Sequence, residues 1–129
     1  MFDDPFLGAR AWQLAELVNA GIQPIQNLRV MQALGTQLGA DADQRKAWSR
    51  HWITRGFEAV ESFLVDIDGV FCVGDEVTVA DICLVPQVYN AQRFGVDMAR
   101  FPHILAADAE LGQLDAFERA RPENQPDAV

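Results

Sequence analysis

A proline inside an amphipathic helical pattern is the feature that most constrains how this chain folds. Pro24 lies in the segment Gly-Ile-Gln-Pro-Ile-Gln-Asn-Leu-Arg, residues 21–29, with side-chain amides on both sides of it. An interior proline removes one helix hydrogen bond and clashes with the preceding turn, at a cost of about 3 kcal/mol or more. We therefore expect a first helix over residues 5–38 that is kinked near Pro24.

The length and composition of the chain fit a single domain. It has 129 residues, 50% of them hydrophobic, which is enough for a substantial core. Its net charge of −9 argues against binding to nucleic acid or to anionic membranes, although local positive charge can still bind a small anion. We see neither a signal peptide nor an apolar stretch of about 20 residues, and therefore expect a cytoplasmic protein.

Two further long helices are predicted from apolar spacing and capping signals. Asp41 and Gln44 have capping-box spacing and precede a helix that reaches residues 66–69. Thr78 and Asp81 repeat that spacing, which favours a structural role for Asp81 over a catalytic one. This third helix is expected to be interrupted at Pro86 and to stop by Gly95. We expect the short apolar segment before it, residues 70–73, to form a buried loop. Shorter helices are predicted over residues 102–112 and 114–119.

Reactive side chains form no recognisable catalytic or metal-binding pattern. Cys72 and Cys83 lack the spacing of metal ligands or of a redox pair, so we expect reduced, packed thiols. His51 and His103 lie in different predicted helices and have no partner at helical spacing. We predict neither a metal site nor a catalytic residue in this chain.

Three polar side chains could bind a ligand. Arg93 stands next to Phe94 near a helix end, where it could hold a carboxylate through two hydrogen bonds or simply complement the helix dipole. Gln23 and Asn27 are four residues apart, so their amides are neighbours that could face a cleft or solvent. The residues alone favour the structural interpretation in both cases.

Three segments of the sequence resemble zeta-class glutathione transferases, the class that includes maleylacetoacetate isomerases and their maleylpyruvate-isomerising relatives. They are Gly-Ile-Gln-Pro-Ile-Gln-Asn-Leu at 21–28, Cys-Val-Gly-Asp-Glu-Val-Thr-Val-Ala-Asp-Ile-Cys-Leu-Val-Pro-Gln-Val at 72–88 and Asn-Ala-Gln-Arg-Phe at 90–94. The resemblance covers nearly the whole chain but matches only the carboxy-terminal helical domain of that family. It implies an all-α bundle of about five helices over residues 1–120. The remaining residues, 121–129, are polar and interrupted by prolines, so we expect an extended or frayed tail there.

The same resemblance implies binding residues. In this family the kinked first helix of the helical domain borders the glutathione cleft, which implies glutathione contacts from Gln23, Asn27, Leu28 and Arg29. The arginine of the Asn-Ala-x-Arg-Phe segment anchors a substrate carboxylate, and this role falls on Arg93.

The family's reaction is a glutathione-dependent cis–trans isomerisation, in which the thiolate adds to a conjugated double bond, the resulting single bond rotates and the thiol leaves. The thioredoxin-like domain that activates the thiol, with its Ser-Ser-Cys motif, has no counterpart in these residues. The resemblance thus implies a substrate-binding domain, inactive alone, for a small anionic diacid and glutathione. Its implied macromolecular partners are a thioredoxin-like domain and a second copy of the chain. The alternative is a non-catalytic binding or oligomerisation module derived from the family.

Overall fold

The computed structural model describes residues 4–128, and over that range it contains helices, turns and loops but no strand. This confirms the all-α prediction. The α-helices and the π turn that joins the first two are α1 (Pro5–Glu16), the π turn (Leu17–Ile22), α2 (Gln23–Gln26), α3 (Leu28–Leu38), α4 (Ala42–Val65), α5 (Val79–Phe94), α6 (Pro102–Leu111) and α7 (Asp115–Ala120). Two short 3₁₀ turns cover Met98–Arg100 and Pro122–Asn124.

The predicted bend in the first helical segment is confirmed, and it has two parts. The first is the π turn, in which the Gln23 N–H bonds to the Val18 carbonyl five residues earlier. The second, which the sequence reasoning missed, is a break at Asn27, where ψ is 165°. Ile22 in the π turn lies so close to Gly56 of α4 that a Cβ at Gly56 would overlap it. The bend therefore packs closely against α4.

Both predicted capping boxes are present. The Asp41 carboxylate accepts from the Gln44 N–H at 2.8 Å, and the Gln44 side chain accepts from the Asp41 N–H at 2.9 Å. The Asp81 carboxylate is fully buried and accepts from the Thr78 N–H, the Thr78 hydroxyl and the Cys72 N–H at 2.7, 2.9 and 2.9 Å. Asp81 thus completes the cap of α5 and also holds the loop before it, as the structural interpretation predicts. The predicted burial of that loop is only partly right, since Cys72 and Val73 are buried and Val70 is exposed.

The predicted interruption at Pro86 is wrong. Helix α5 continues through Pro86 because the proline is exposed and the buried residues on the opposite face, Leu84, Val88 and Ala91, hold the helix to the core. The Ile82 carbonyl, which loses its helix hydrogen bond, belongs to an exposed residue and can bond to water.

The core lies between α1, α4, α5 and α6. Phe57 of α4 packs edge-to-face on Phe101, which precedes α6, with ring centroids 5.6 Å apart. Leu14, Ile53 and Ile104 are fully buried around this pair. Hydrophobic burial across these four helices fixes where the end of α5 stands relative to the start of α4.

The tail differs from the predicted extended or frayed segment. Asn124 donates to the Glu118 carbonyl at 2.7 Å, and Gln125 donates to the Arg119 and Arg121 carbonyls at 2.8 and 2.9 Å. These bonds cap the carbonyls at the end of α7, which explains why the polar tail folds back on it. The division of the chain at residue 120 stays a prediction.

Candidate functional site

The predicted glutathione contacts lie at the corner between α2 and α3. Asn27 ends α2 with an extended backbone, and its side-chain oxygen accepts from the Val30 N–H at 3.2 Å, which caps α3. Gln23, Leu28 and Arg29 are exposed at this corner, Leu28 to 71%. The corner therefore presents two polar side chains and one apolar side chain to solvent.

Buried polar contacts hold this corner from below. The Gln26 amide, only 5% exposed, donates to Oε1 of the buried Gln87 in α5 at 3.3 Å. The Trp48 indole of α4 donates to the Ile25 carbonyl at 3.0 Å. The short α2 is thus tied to both α4 and α5, and this limits the positions that the exposed corner can take.

Arg93 is exposed in the last turn of α5, with its Cζ 5.9 Å from the centroid of the Phe94 ring. No acidic side chain in residues 4–128 forms an ion pair with it. Its guanidinium borders two separate surface depressions. It is therefore free to bind an anionic ligand from either side.

The larger depression, of about 600 Å³, separates α5 from α6, α7 and the tail. Hydrogen bonding to Glu123 raises the pKa of Tyr89 there, and the negative charge of Glu123 raises it further. Burial raises the pKa of Asp108, while the nearby Arg121 partly offsets that increase. The lining residues are Ile82, Val85, Pro86, Val88, Tyr89, Asn90, Gln92, Arg93, Asp108, Gly112, Phe117, Ala120, Arg121 and Pro122.

The smaller depression, of about 300 Å³, lies where α3, the start of α4 and the end of α5 meet. We call it the basic depression, and it is lined by Met31, Ala42, Arg45, Lys46, Arg93 and Phe94. Arg45 and Lys46 were missed by the sequence reasoning. Cations just after a helix N-terminus oppose the helix dipole, and that was the one available signal for them.

The structure separates the predicted site residues into two groups. Arg93 borders both depressions, whereas Gln23, Asn27, Leu28 and Arg29 border neither and lie at the α2–α3 corner. The two groups can serve one ligand only if that ligand, or another piece of protein, spans the surface between them.

Other titratable side chains have structural partners. The Glu61 carboxylate accepts from the N–H groups of His103 and Ile104 at 2.9 and 3.0 Å, which caps α6. Burial, together with the nearby Asp81 carboxylate, raises the pKa of Cys72 far above its usual range. Between residues 4 and 128 no group of three potential metal ligands comes together. None of the helices over the same range is both long and apolar enough to span a bilayer.

Comparisons with known proteins place the chain in a family. No protein-family model matches the sequence. A probable maleylacetoacetate isomerase from Vibrio cholerae is 46% identical over 127 residues, which cover 96% of this chain and 59% of that protein. The crystal structure of a maleylpyruvate isomerase from Pseudomonas aeruginosa superimposes with a TM-score of 0.94 at 40% identity, covering all of this chain and 68% of that one. The chain belongs to the zeta-class glutathione transferase family.

Within the zeta class, the chain corresponds to the helical domain. It spans about half the length of the curated relatives that it matches, 59% for the Vibrio cholerae protein. A maleylacetoacetate isomerase from Anaeromyxobacter dehalogenans, solved with glutathione in its active site, matches with a TM-score of 0.87 at 41% identity. That match covers 94% of this chain and 55% of the other.

Proposed function

We propose that this chain is the helical half of a glutathione-dependent cis–trans isomerase acting on an unsaturated diacid of the maleylacetoacetate or maleylpyruvate type. The observation that carries the proposal is Arg93, which is exposed and borders two depressions while no carboxylate of residues 4–128 pairs with it. A guanidinium can hold a planar carboxylate through two parallel hydrogen bonds. Relatives named as isomerases of such diacids support this substrate class.

The α2–α3 corner fits glutathione. Gln23 and Arg29 offer exposed hydrogen-bond donors suited to the carboxylates of a peptide-like ligand, and Leu28 offers apolar surface beside them. The Asn27 side-chain oxygen already caps α3 and its backbone carbonyl accepts from the Met31 N–H, which leaves its amide nitrogen to donate to a ligand. When bound, glutathione would supply the thiolate that adds reversibly to the substrate double bond.

In this proposal the residues of the chain bind and orient the substrate and glutathione, and they do not activate the thiol. Arg93 fixes one substrate carboxylate, and the adjacent Phe94 gives apolar surface for the carbon chain. The sequence has no Ser-Ser-Cys motif, so the thiol-activating group would come from a thioredoxin-like domain, on this polypeptide or on another. The 129 residues alone should show no glutathione-dependent turnover of maleylacetoacetate.

Calorimetric titration with glutathione tests the proposed corner. Gln23→Ala should weaken binding, because it removes an exposed donor without touching the buried contacts that hold α2. Gln37 is an exposed glutamine at the far end of α3, so Gln37→Ala is the matched control and should bind like the parent. Equal affinity in both variants would rule out the corner as a glutathione contact.

A non-catalytic binding or oligomerisation module is the second candidate. Phe6 and Trp12 of α1 are 67% and 60% exposed, although aromatic side chains of this size are usually covered. Such a surface can bind a second copy of the chain or a thioredoxin-like domain. Sedimentation velocity of the parent and of Trp12→Ser distinguishes these cases, because loss of a dimer in the variant would place the self-association interface on α1.

We also propose a cytoplasmic location. Cys72 and Cys83 are both free, and reducing compartments keep thiols in that state. Imaging the chain fused to a fluorescent protein tests this directly.

A further inference from the structure

Positive charge is concentrated in the basic depression despite the acidic character of the chain. The sequence has 10 Lys and Arg residues against 19 Asp and Glu residues, yet three of those cations, Arg45, Lys46 and Arg93, line one depression of about 300 Å³. None of the three forms an ion pair with a carboxylate of residues 4–128. Three unpaired cations repel one another, and an anion between them would relieve that repulsion.

The local backbone adds to this field. Ala42, which also lines the depression, is the first residue of α4, where the helix dipole is positive. The nearest acidic side chains in sequence, Asp41 and Asp43, are exposed and neither lines the depression.

The guanidinium of Arg45 is also held in place. It is half-buried and packs against Gly35 of α3, where its Nη1 lies 2.8 Å from the position that a Cβ would occupy. A side chain held in this way loses less conformational entropy on binding an anion than a fully solvated one.

The shape of the depression indicates what kind of anion it takes. Met31 and Phe94 supply apolar surface between the basic groups. A volume of about 300 Å³ is at the small end of ligand sites. Apolar surface flanked by cations suits a short carbon chain with a carboxylate at each end better than it suits an inorganic ion, which has no apolar part.

We propose that Arg45 and Lys46 bind the second carboxylate of the diacid whose first carboxylate binds Arg93. This inference rests on the proposed function and deepens it, since it assigns to α4 the discrimination between dicarboxylic and monocarboxylic substrates. Arg45 and Lys46 are binding and specificity residues, with no part in the chemistry of the thiol.

Titration calorimetry with maleate and with crotonate, a monocarboxylate of similar size, tests this assignment. Arg45→Gln and Lys46→Gln should each weaken maleate binding by about tenfold or more and leave crotonate binding unchanged. Arg55→Gln is the matched control, because Arg55 is exposed on the same helix, about 15 Å further along its axis. It should bind maleate like the parent.

The outcomes separate this inference from the proposed function. Unchanged maleate affinity in both the Arg45 and Lys46 variants, with loss in Arg93→Gln, would overturn the second-carboxylate site and leave Arg93 as the anchor. Loss of maleate and crotonate binding to the same extent would assign both residues to general anion attraction and would also overturn it. Phosphate competing as well as maleate would overturn the dicarboxylate assignment in favour of a simple oxyanion site. Glutathione binding is measured separately. If the proposed function is wrong, the chain should not bind glutathione, and Arg93→Gln should leave maleate affinity unchanged.

Discussion

The Gln26 side-chain amide donates to Gln87 Oε1 at 3.3 Å across the buried contact between α2 and α5. Both side chains are buried, and the link connects the short helix that carries Gln23 to the helix that carries Arg93. The two groups of predicted ligand contacts are therefore joined through the core, although they border different parts of the surface.

Gln26→Leu should lower the free energy of unfolding by about 1–3 kcal/mol, because it removes the donor to the buried Gln87 Oε1. Urea denaturation measures this loss. Gln23→Leu, at an exposed position three residues earlier, should change stability by less than about 0.5 kcal/mol. The double variant Gln26→Leu with Gln87→Leu should regain part of the loss, and an additive result would contradict the pairing.

The two capping aspartates should differ in how much they stabilise the fold. Asp81→Ala removes an acceptor from three donors in a fully buried position and should cost on the order of 3 kcal/mol or more. Asp41→Ala removes the N-cap side chain of α4, which is exposed and accepts from the Gln44 N–H, and should cost about 1 kcal/mol. Thermal and urea unfolding of both variants provide the comparison, and equal costs would show that the buried loop contributes nothing to the role of Asp81.

Two glycines in helices should respond to alanine in opposite directions. At Gly56 a methyl group would overlap the fully buried Ile22, so Gly56→Ala should destabilise the protein by about 1–3 kcal/mol. At Gly8 in α1 nothing lies within 4 Å of a built Cβ, so Gly8→Ala should stabilise by about 0.5–1 kcal/mol. A melting temperature of Gly56→Ala equal to or above that of the parent would contradict the close approach of the π turn to α4.

Asp108 should make the stability of the protein depend on pH. Burial raises its pKa in the folded state above the ordinary value of 3.8, so the folded chain holds this proton to higher pH than the unfolded chain does. The stabilisation from Asp108 is therefore complete below that ordinary value and is lost as pH rises through the raised pKa. Asp108→Asn should gain stability relative to the parent as pH increases from 3 to 7. Parallel urea-midpoint curves for the two proteins would contradict this.

Local signals were sufficient to predict most of the fold. The pairs Asp41–Gln44 and Thr78–Asp81 predicted two helix starts because a capping box depends only on residues three apart. Pro86 misled the prediction because its tolerance depends on which face of α5 is exposed, and that is decided by packing. The break at Asn27 was missed because Pro24, three residues earlier, already explained a bend.

The candidate site was less predictable because it, too, depends on how the helices pack against one another. Arg93 was identified through a resemblance, since its segment alone favoured a helix-end role. Arg45 and Lys46 lie nearly fifty residues from Arg93 in the sequence, and only the packing of α4 against α5 brings them to one depression. No local sequence pattern predicts that these three side chains line the same depression.

Calorimetric titration of maleate into the parent, Arg93→Lys and Arg93→Gln tests whether Arg93 holds a substrate carboxylate. We predict measurable binding to the parent, weaker binding to the lysine variant, which keeps the charge but loses the two-point hydrogen bonding, and none to the glutamine variant. Far-ultraviolet circular dichroism should be the same for all three, because Arg93 is exposed. Maleate affinity in Arg93→Gln equal to that of the parent would show that Arg93 does not hold the carboxylate.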